Sequence, residues 1–305
     1  MLNIIGKKNW YFLFSLLVII PGVLSLLLYG LNLSIDFTGG TRMEFVLPKN
    51  IDAATTQKIR NDFAQEKIKI ETLQVSGKSV FVRTVQVNEK KNAALLKRMQ
   101  RTIGSFKEES FETIGPTIGA ESTKNAFLSV VLSSVLILGY TAFSFRKVPK
   151  PTSSVRFGVA TIVALLHDVL VLLGVFSILG HFFHVEVDSL FITALLTVIG
   201  FSVHDTIVVF DRIRENLQRV GGVSFAQVVN DSILQTFVRS LNTSLTAMLV
   251  LFTLMLFGGE SIKWFVVALL VGIASGTYSS IFNAAPLLVL WDDFDRKRKL
   301  RSVKK

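Results

Sequence analysis

The sequence predicts a multi-span α-helical membrane protein with a ferredoxin-like α+β domain inserted after the first of six spans. Three observations carry this. Half of the 305 residues are hydrophobic and the mean hydropathy is +0.52, so most of the chain must meet lipid or a lipid-buried core. Six apolar runs come close to the roughly 20 residues that cross a hydrocarbon layer at about 1.5 Å per residue. Between the first and second runs the hydropathy falls, charges mix, and the periodicity switches in the order βαββαβ, the signature of a split βαβ sandwich.

The elements follow in order. Residues 1–9 carry Lys7 and Lys8 and are expected on the cytoplasmic side. The run 10–31 is too long for a signal-peptide core and lacks a small-residue cleavage site, so it reads as an uncleaved first span. Residues 32–123 are assigned to an extracytoplasmic domain. It opens on Asp36-Phe37-Thr38-Gly39-Gly40, where the glycines are free to take positive φ as a helix hands over to a strand. Soluble composition then runs from residue 41 to about 118. Met43, Phe45 and Leu47 alternate as a strand, residues 52–66 form a helix with Asp52 as N-cap, and 70–75 form a second strand. After the turn Ser76-Gly77-Lys78, Val80, Val82 and Val85 mark a third strand, 89–103 a second helix, and 110–114 the closing strand.

Five more spans are expected within residues 124–291, at about 126–145, 157–179, 190–210, 241–257 and 264–290. The stretches 211–216 and 225–238 read as an amphipathic connection lying at the membrane surface. Arg146, Lys147, Lys150 and Arg156 stand between the second and third spans, and Arg212, Arg214 and Arg219 after the fourth. The tail, 292–305, is basic. Residues 181–188 contain no Lys or Arg, and 258–263 contain only Lys263. The positive-inside rule then puts both termini in the cytoplasm and the inserted domain outside, since long loops translocate largely regardless of charge.

Composition also excludes. A net charge of +11 would suggest nucleic acid in a soluble protein, but the basic residues cluster at span ends without aromatic interleaving, so no nucleic-acid partner is expected. The absence of cysteine removes disulfides and thiol chemistry. No G-x-x-x-x-G-K-S/T loop is present, so the chain has no evident way to use ATP itself. The inserted domain has neither a phosphate-cradling loop nor a nucleophile with a base. No enzyme, cofactor or metal is expected, and energy for work must come from elsewhere.

The chemistry concentrates in Ser202-Val203-His204-Asp205-Thr206, where an imidazole and a carboxylate interrupt a segment otherwise apolar from 190 to 210. Ionisable groups at membrane depth are costly, and a functional role is the default reading. Arg239, Asn242, Thr243 and Thr246 fall at i, i+3, i+4 and i+7, a polar stripe that should face protein and bring Arg239 to Asp205. That pair reads either as a proton carrier held between burial and a guanidinium or as a static ion pair locking two helices. His167 and Asp168 are helix neighbours pointing about 100° apart, so they are not expected to form a simple dyad. They read as inter-helix packing or as part of a proton route. His181, His184, Glu186 and Asp188 could bind a metal, against the plainer reading of a solvated loop. Gly272 and Gly276 form a G-x-x-x-G that permits close helix approach without naming the partner. Asp168 and Asp205 on adjacent spans raise an intramembrane aspartyl protease, but the expected G-x-G-D pattern is missing.

Taken together, Asp36-Phe37-Thr38-Gly39-Gly40, His167-Asp168, Ser202 to Thr206 leading into Val208 to Asn216, and Arg239-Ser240-Leu241-Asn242-Thr243-Ser244 resemble the SecD/SecF family of protein-export membrane proteins, on its SecF side. The resemblance covers essentially the whole chain. It implies half of a transporter of the resistance-nodulation-division type in the cell inner membrane, surrounded by lipid and paired with SecD. It further implies assistance to the SecYEG translocon, with YajC and YidC as further candidate partners, acting on a preprotein at the outer side. Protons would be the coupling ion, carried by Asp205 with Arg239, His204, Asn242, Thr243, Asp168 and His167 along the path. Asp36, Gly39, Gly40, Asp211 and Arg212 would be structural. The two halves would meet at a seam for which Gly272, Gly276 and the polar face of the fourth span are candidates. Two rivals are a half-transporter exporting a lipid or small molecule, disfavoured by the small single outer domain, and a scaffold.

Overall fold

The computed structural model describes residues 3–146, 148–149, 152–219 and 222–303. Lys147 and Lys150, used above for orientation, lie outside them. The chain divides into two compact units, Leu33–Phe127 and a helical unit of Met1–Asn32 with Leu128–Lys305.

Helix α1 spans Lys8–Tyr29. The α+β unit follows, with the short helix α2 at Ile35–Thr38, β1 at Gly40–Val46, α3 at Ala53–Gln65, β2 at Ile70–Ser76, β3 at Ser79–Thr84, α4 at Glu89–Thr102 and β4 at Lys107–Ile114. The strands lie in the order β2-β3-β1-β4, with every neighbouring pair antiparallel. This is the ferredoxin-like arrangement that the alternating pattern predicts. One side of each strand carries the core: Met43, Phe45, Val80 and Val82 pack with Ile59, Phe63, Leu95 and Met99 from the two helices. Both helices start at side-chain caps. Asp52 accepts the Thr55 N–H at 2.7 Å, and Asn88 accepts the Lys91 N–H at 2.9 Å.

The glycine pair is a backbone requirement. Gly39 and Gly40 take φ of +72° and +121° between α2 and β1, and a Cβ on Gly40 would stand 2.7 Å from the Thr84 carbonyl oxygen. No L side chain fits there. Asp36 lies in the first turn of α2, its N–H donating to the Ser34 capping hydroxyl at 3.2 Å.

The remaining helices are α5 at Pro116–Ser144, α6 at Ser154–Phe183, α7 at Ser189–Arg219, α8 at Phe225–Phe257, α9 at Glu260–Ser279 and, after a π-turn at Ser280–Ala284, α10 at Ala285–Val303. Among the described residues, six helical stretches are long and apolar enough to cross a membrane. The expected surface connection is not a separate element. Residues 225–238 are the first turns of a single 33-residue helix, and 211–216 continue α7 to Arg219. Nothing breaks either helix: no Gly or Pro lies within α8, and the charges of α7 pair along it, Arg214 to Asp211 at 2.6 Å and Arg219 to Glu215 at 2.7 Å.

Burial sorts the helices of this unit. About half of the apolar stretch of α6, of α7 and of the α9–α10 segment is buried, against 6% for α5 and 11% for α8. Helix α1 meets α6 at Gly22 and Gly174, where a Cβ on either would lie under 3.0 Å from the other's Cα. Ser25 and Ser177 bond one turn further on at 2.9 Å. At the chain start, the buried Asn230 side chain accepts the N–H groups of Ile4 and Ile5 at 2.9 and 3.3 Å, satisfying donors that a helix N-terminus leaves open.

Candidate functional site

Two buried carboxylates lie among α6, α7, α8 and α9, and helix phase decides what each meets. On α7, Ser202, Asp205, Thr206 and Val209 recur at i, i+3, i+4 and i+7 and are all buried, while His204 projects from the opposite side and is exposed. The buried stripe of α8 continues from Thr236 to Ser240 and Ser244. On α9 it holds Ser275, Thr277 and Ser279.

Asp168 on α6 is the centre of the polar core. Its Oδ1 accepts from Ser275 at 2.7 Å and faces His167 Nδ1 at 2.9 Å, while its Oδ2 accepts from Ser279 at 2.7 Å and Ser202 at 2.5 Å. A carboxylate offers about four lone-pair positions, and these partners occupy all of them. The expectation that His167 and Asp168 could not act as a dyad is corrected here. Their Cα–Cβ directions do diverge, but rotation about the side-chain bonds folds the ring back onto the carboxylate. The other ring nitrogen, Nε2, is buried without a hydrogen-bond partner among the described residues. The ring lies 6.2 Å from that of Tyr278, whose hydroxyl donates to the Tyr11 carbonyl at 2.8 Å.

Asp205 is equally buried, with 2% exposure, but loosely held. Its Oδ2 receives one long contact, 3.5 Å from Ser244 Oγ, and that hydroxyl accepts in turn from Thr277 Oγ1 at 2.6 Å. Ser240 lies one turn before Ser244 on the buried side of α8, and its hydroxyl has no hydrogen-bond partner among the described residues. Among the described residues, Asp205 therefore keeps acceptor positions open where Asp168 has none.

The predicted partner is not there. Arg239, Asn242, Thr243 and Thr246 form the expected stripe, but it is exposed, about 100° around α8 from Ser240 and Ser244. Thr243 and Thr246 donate to their own helix, to the carbonyls of Arg239 and Asn242 at 3.0 and 2.7 Å. Together with Thr197 of α7, Asn242, Thr243 and Thr246 open onto a concavity of about 720 Å³ floored by Leu269 and Ile273. Of the hydroxyls that do surround the carboxylates, Ser202, Ser240 and Ser244 stand in the sequence motifs without an assigned role and Ser275, Thr277 and Ser279 were not singled out, although Ser240/Ser244 and Ser275/Ser279, each pair at i, i+4 in an apolar helix, were the available signal.

The glycines of the G-x-x-x-G are consumed inside the chain. A Cβ on Gly272 would meet Val198 Cγ2 at 2.1 Å, and one on Gly276 would meet Ser202 Cβ at 2.9 Å, so both serve the α7–α9 approach rather than the expected seam with another half. Arg212 reaches Gln235 of α8 and pairs with Glu215 at 2.6 Å, a structural link between helices. Asp211 is exposed and pairs along its own helix. His181 stacks on Tyr29 at 3.7 Å and Asp188 accepts the Phe191 N–H at 2.8 Å. Among the described residues no such cluster could hold a metal ion.

A family model described as "Protein export membrane protein SecD/SecF, C-terminal" matches residues 93–293, and one described as "SecD/SecF GG Motif" matches residues 24–46. The protein translocase subunit SecF of Thermobaculum terrenum is 47% identical over 99% of this chain and 97% of its own. That of Anaerolinea thermophila is 40% identical, covering 96% and 94%. The protein translocase subunit SecDF of Bacillus subtilis is 36% identical over 96% of this chain but 38% of its own. Among solved structures, the crystal structure of SecDF, a translocon-associated membrane protein from Thermus thermophilus, superposes with a TM-score of 0.83 at 33% identity, covering 96% of this chain and 39% of that one. The chain thus spans about two fifths of the length of the SecDF proteins it matches.

Proposed function

The chain belongs to the SecD/SecF family of protein-export membrane proteins, and from that premise we propose that it is the subunit whose Asp205 carries protons to drive export. It is a multi-pass membrane subunit of the Sec export apparatus. The observation that supports Asp205 as carrier is the contrast between the two buried acids. A proton added to Asp168 must displace one of four partners, whereas Asp205 can take one without breaking a donor's bond. Ser244 and Thr277 stand next to it as hydroxyls able both to donate and to accept.

SecD is the partner that completes the site. Arg239 and its polar neighbours lie on the outer face of α8, and a guanidinium at membrane depth is costly against lipid. A second protein half covering that stripe removes the cost, and the Bacillus subtilis relative carries SecD and SecF in one chain. The assembly works beside the SecYEG translocon in the cell inner membrane, with YajC and YidC as further partners. Both termini are cytoplasmic and the α+β unit meets the preprotein on the outer side. Protons are the coupling ion.

The test is export of a preprotein into membrane vesicles with and without an imposed proton gradient. Asp205→Asn is nearly isosteric and should leave assembly with SecD intact while abolishing the gradient-dependent part of export, because an amide carries no proton. Arg239→Lys should substitute poorly, since lysine lacks the planar fork. Full gradient-stimulated export by the Asp205→Asn chain would refute the carrier role.

A further inference from the structure

The two edges of the sheet are built differently. Strand β4 carries Lys107, Glu108, Glu109 and Glu112 within its eight residues, and its pairing with β1 is broken by a register shift at Glu44/Phe45. Charges and bulges are how proteins keep an edge from recruiting a further strand. Strand β2, Ile-Glu-Thr-Leu-Gln-Val-Ser, has neither proline nor lysine, and its one charge, Glu71, lies at the irregular end of the pairing. From Thr72 to Ser76 it is uncharged and, among the described residues, paired only with β3.

The turn determines which peptide groups of β2 are open. Ser76 and Ser79 face each other across the two residues Gly77 and Lys78, with Gly77 at φ +59°. A two-residue turn of this kind makes the closing residues a mutually hydrogen-bonded pair. Antiparallel alternation then turns Gln74 inward toward β3 as well, and leaves the N–H and C=O groups of Leu73 and Val75 pointing to the open side. Val75 is 41% exposed on that edge. Immediately before β2, Arg60, Lys67 and Lys69 line a concavity of about 410 Å³ together with Ile68 and Ile70. All three cations are exposed, and none is in an ion pair among the described residues.

We propose that the β2 edge is a strand-addition site for an extended segment of the exported polypeptide, read through its main chain at Leu73 and Val75 and favouring acidic side chains where the segment reaches Arg60, Lys67 and Lys69. An added strand supplies the hydrogen bonds that both sides otherwise leave to water, a recognition mode available to any unfolded sequence. Alternate side chains of the added strand meet apolar Leu73 and Val75 on one face and Thr72 and Gln74 on the other, so alternating apolar and polar residues fit best. The inference rests on the export role and is independent of the proton site.

The full-length chain in mild detergent is titrated with a fluorescent peptide of about ten alternating valines and threonines ending in aspartates, followed by anisotropy. Backbone N-methylation at every second residue removes hydrogen bonds while keeping the side chains. Methylation in one register should weaken binding at least about tenfold, and in the other register leave it unchanged, since only alternate peptide groups face β2. Val75→Pro, which deletes only an outward N–H, should weaken binding about tenfold, whereas Val75→Thr should bind as the parent does. Lys67→Glu with Lys69→Glu should shift preference to a lysine-ended peptide. Asp205→Asn should bind normally, which separates this site from the carrier. Equal binding of both methylated registers, no binding up to about 1 mM, or a photo-crosslink from position 75 to SecD in place of the exported chain would each overturn the assignment.

Discussion

Replacing Gly272 by alanine asks for space that α7 already occupies. The new Cβ would lie 2.1 Å from Val198 Cγ2 and 2.7 Å from Cγ1, where carbons in contact prefer roughly 3.5 Å or more. Val198 is fully buried, and a β-branched side chain on a helix has essentially one χ1 state, so it cannot turn aside. The helices must part by on the order of 1.4 Å, the difference between 3.5 Å and 2.1 Å. Overpacking of that kind costs about 1–3 kcal/mol. Val198→Ala alone removes two buried methyls and should cost a similar amount, about 1–3 kcal/mol. In the double variant the added methyl enters the space the valine left, so the two losses should partly cancel, with a coupling of at least about 1 kcal/mol. The measurement is unfolding in mixed micelles by circular dichroism for the parent, both single variants and the double. Because Ser202 on α7 meets Ser275 and Ser279 of α9 at one carboxylate, Gly272→Ala should also lower gradient-stimulated export, and Val198→Ala should restore part of it. A Gly272→Ala chain as stable as the parent, or a double variant that loses the full sum, would refute the packing argument.

The two buried acids should separate under the same substitution. Asp168→Asn presents an amide N–H₂ to hydroxyl donors and should destabilise the helical unit by about 1–3 kcal/mol, whereas Asp205→Asn, having one 3.5 Å contact to lose, should leave the unfolding midpoint nearly unchanged. In the α+β unit, the Thr55 hydroxyl and N–H bonded to Asp52 hold its carboxyl below its ordinary value of 3.8. A depressed folded value means that the unfolded chain binds more protons, so this contribution is full above about pH 4 and lost as pH falls through the folded value. The protection of α3 amides, measured against their intrinsic exchange rates at each pH, should fall below about pH 4 in the parent, and Asp52→Ala should show the lower protection already at neutral pH. Orientation is tested with single cysteines in a chain that has none of its own. Lys58→Cys should react with a membrane-impermeant thiol reagent added outside and Arg219→Cys should not; the reverse pattern would invert the proposed topology.

Much of the fold was open to reading because it depends on local periodicity. Apolar runs of bilayer length gave the spans, period-two alternation with Asp52 as cap gave the α+β unit, and the glycine pair gave a turn that needs positive φ. Each of these follows from what a residue can do within its own few turns of chain. The continuous α7 and α8 were also within reach, since no Gly or Pro lies in α8 or between Phe210 and Arg219 of α7; charge alone made them look like a surface connection.

The site was legible as composition but not as arrangement. Two stripes run along α8, Arg239/Asn242/Thr243/Thr246 and Ser240/Ser244, each polar and each at helical spacing. Periodicity establishes both and cannot say which one points inward, because that is the rotation of α8 against α7 and α9. The sequence marked Gly272 and Gly276 as a point of close approach, but only packing against Val198 and Ser202 decided that the partner lies in the same chain. His167 and Asp168 diverge by local helix geometry, and meet because α7 and α9 bring three serine hydroxyls that hold the carboxylate where the ring can reach it. Sequence therefore determined which groups are costly to bury, since that cost belongs to each side chain alone. Tertiary structure decided which of the two acids is fully satisfied and which is left open, because hydrogen-bond saturation is a property of neighbours from four helices.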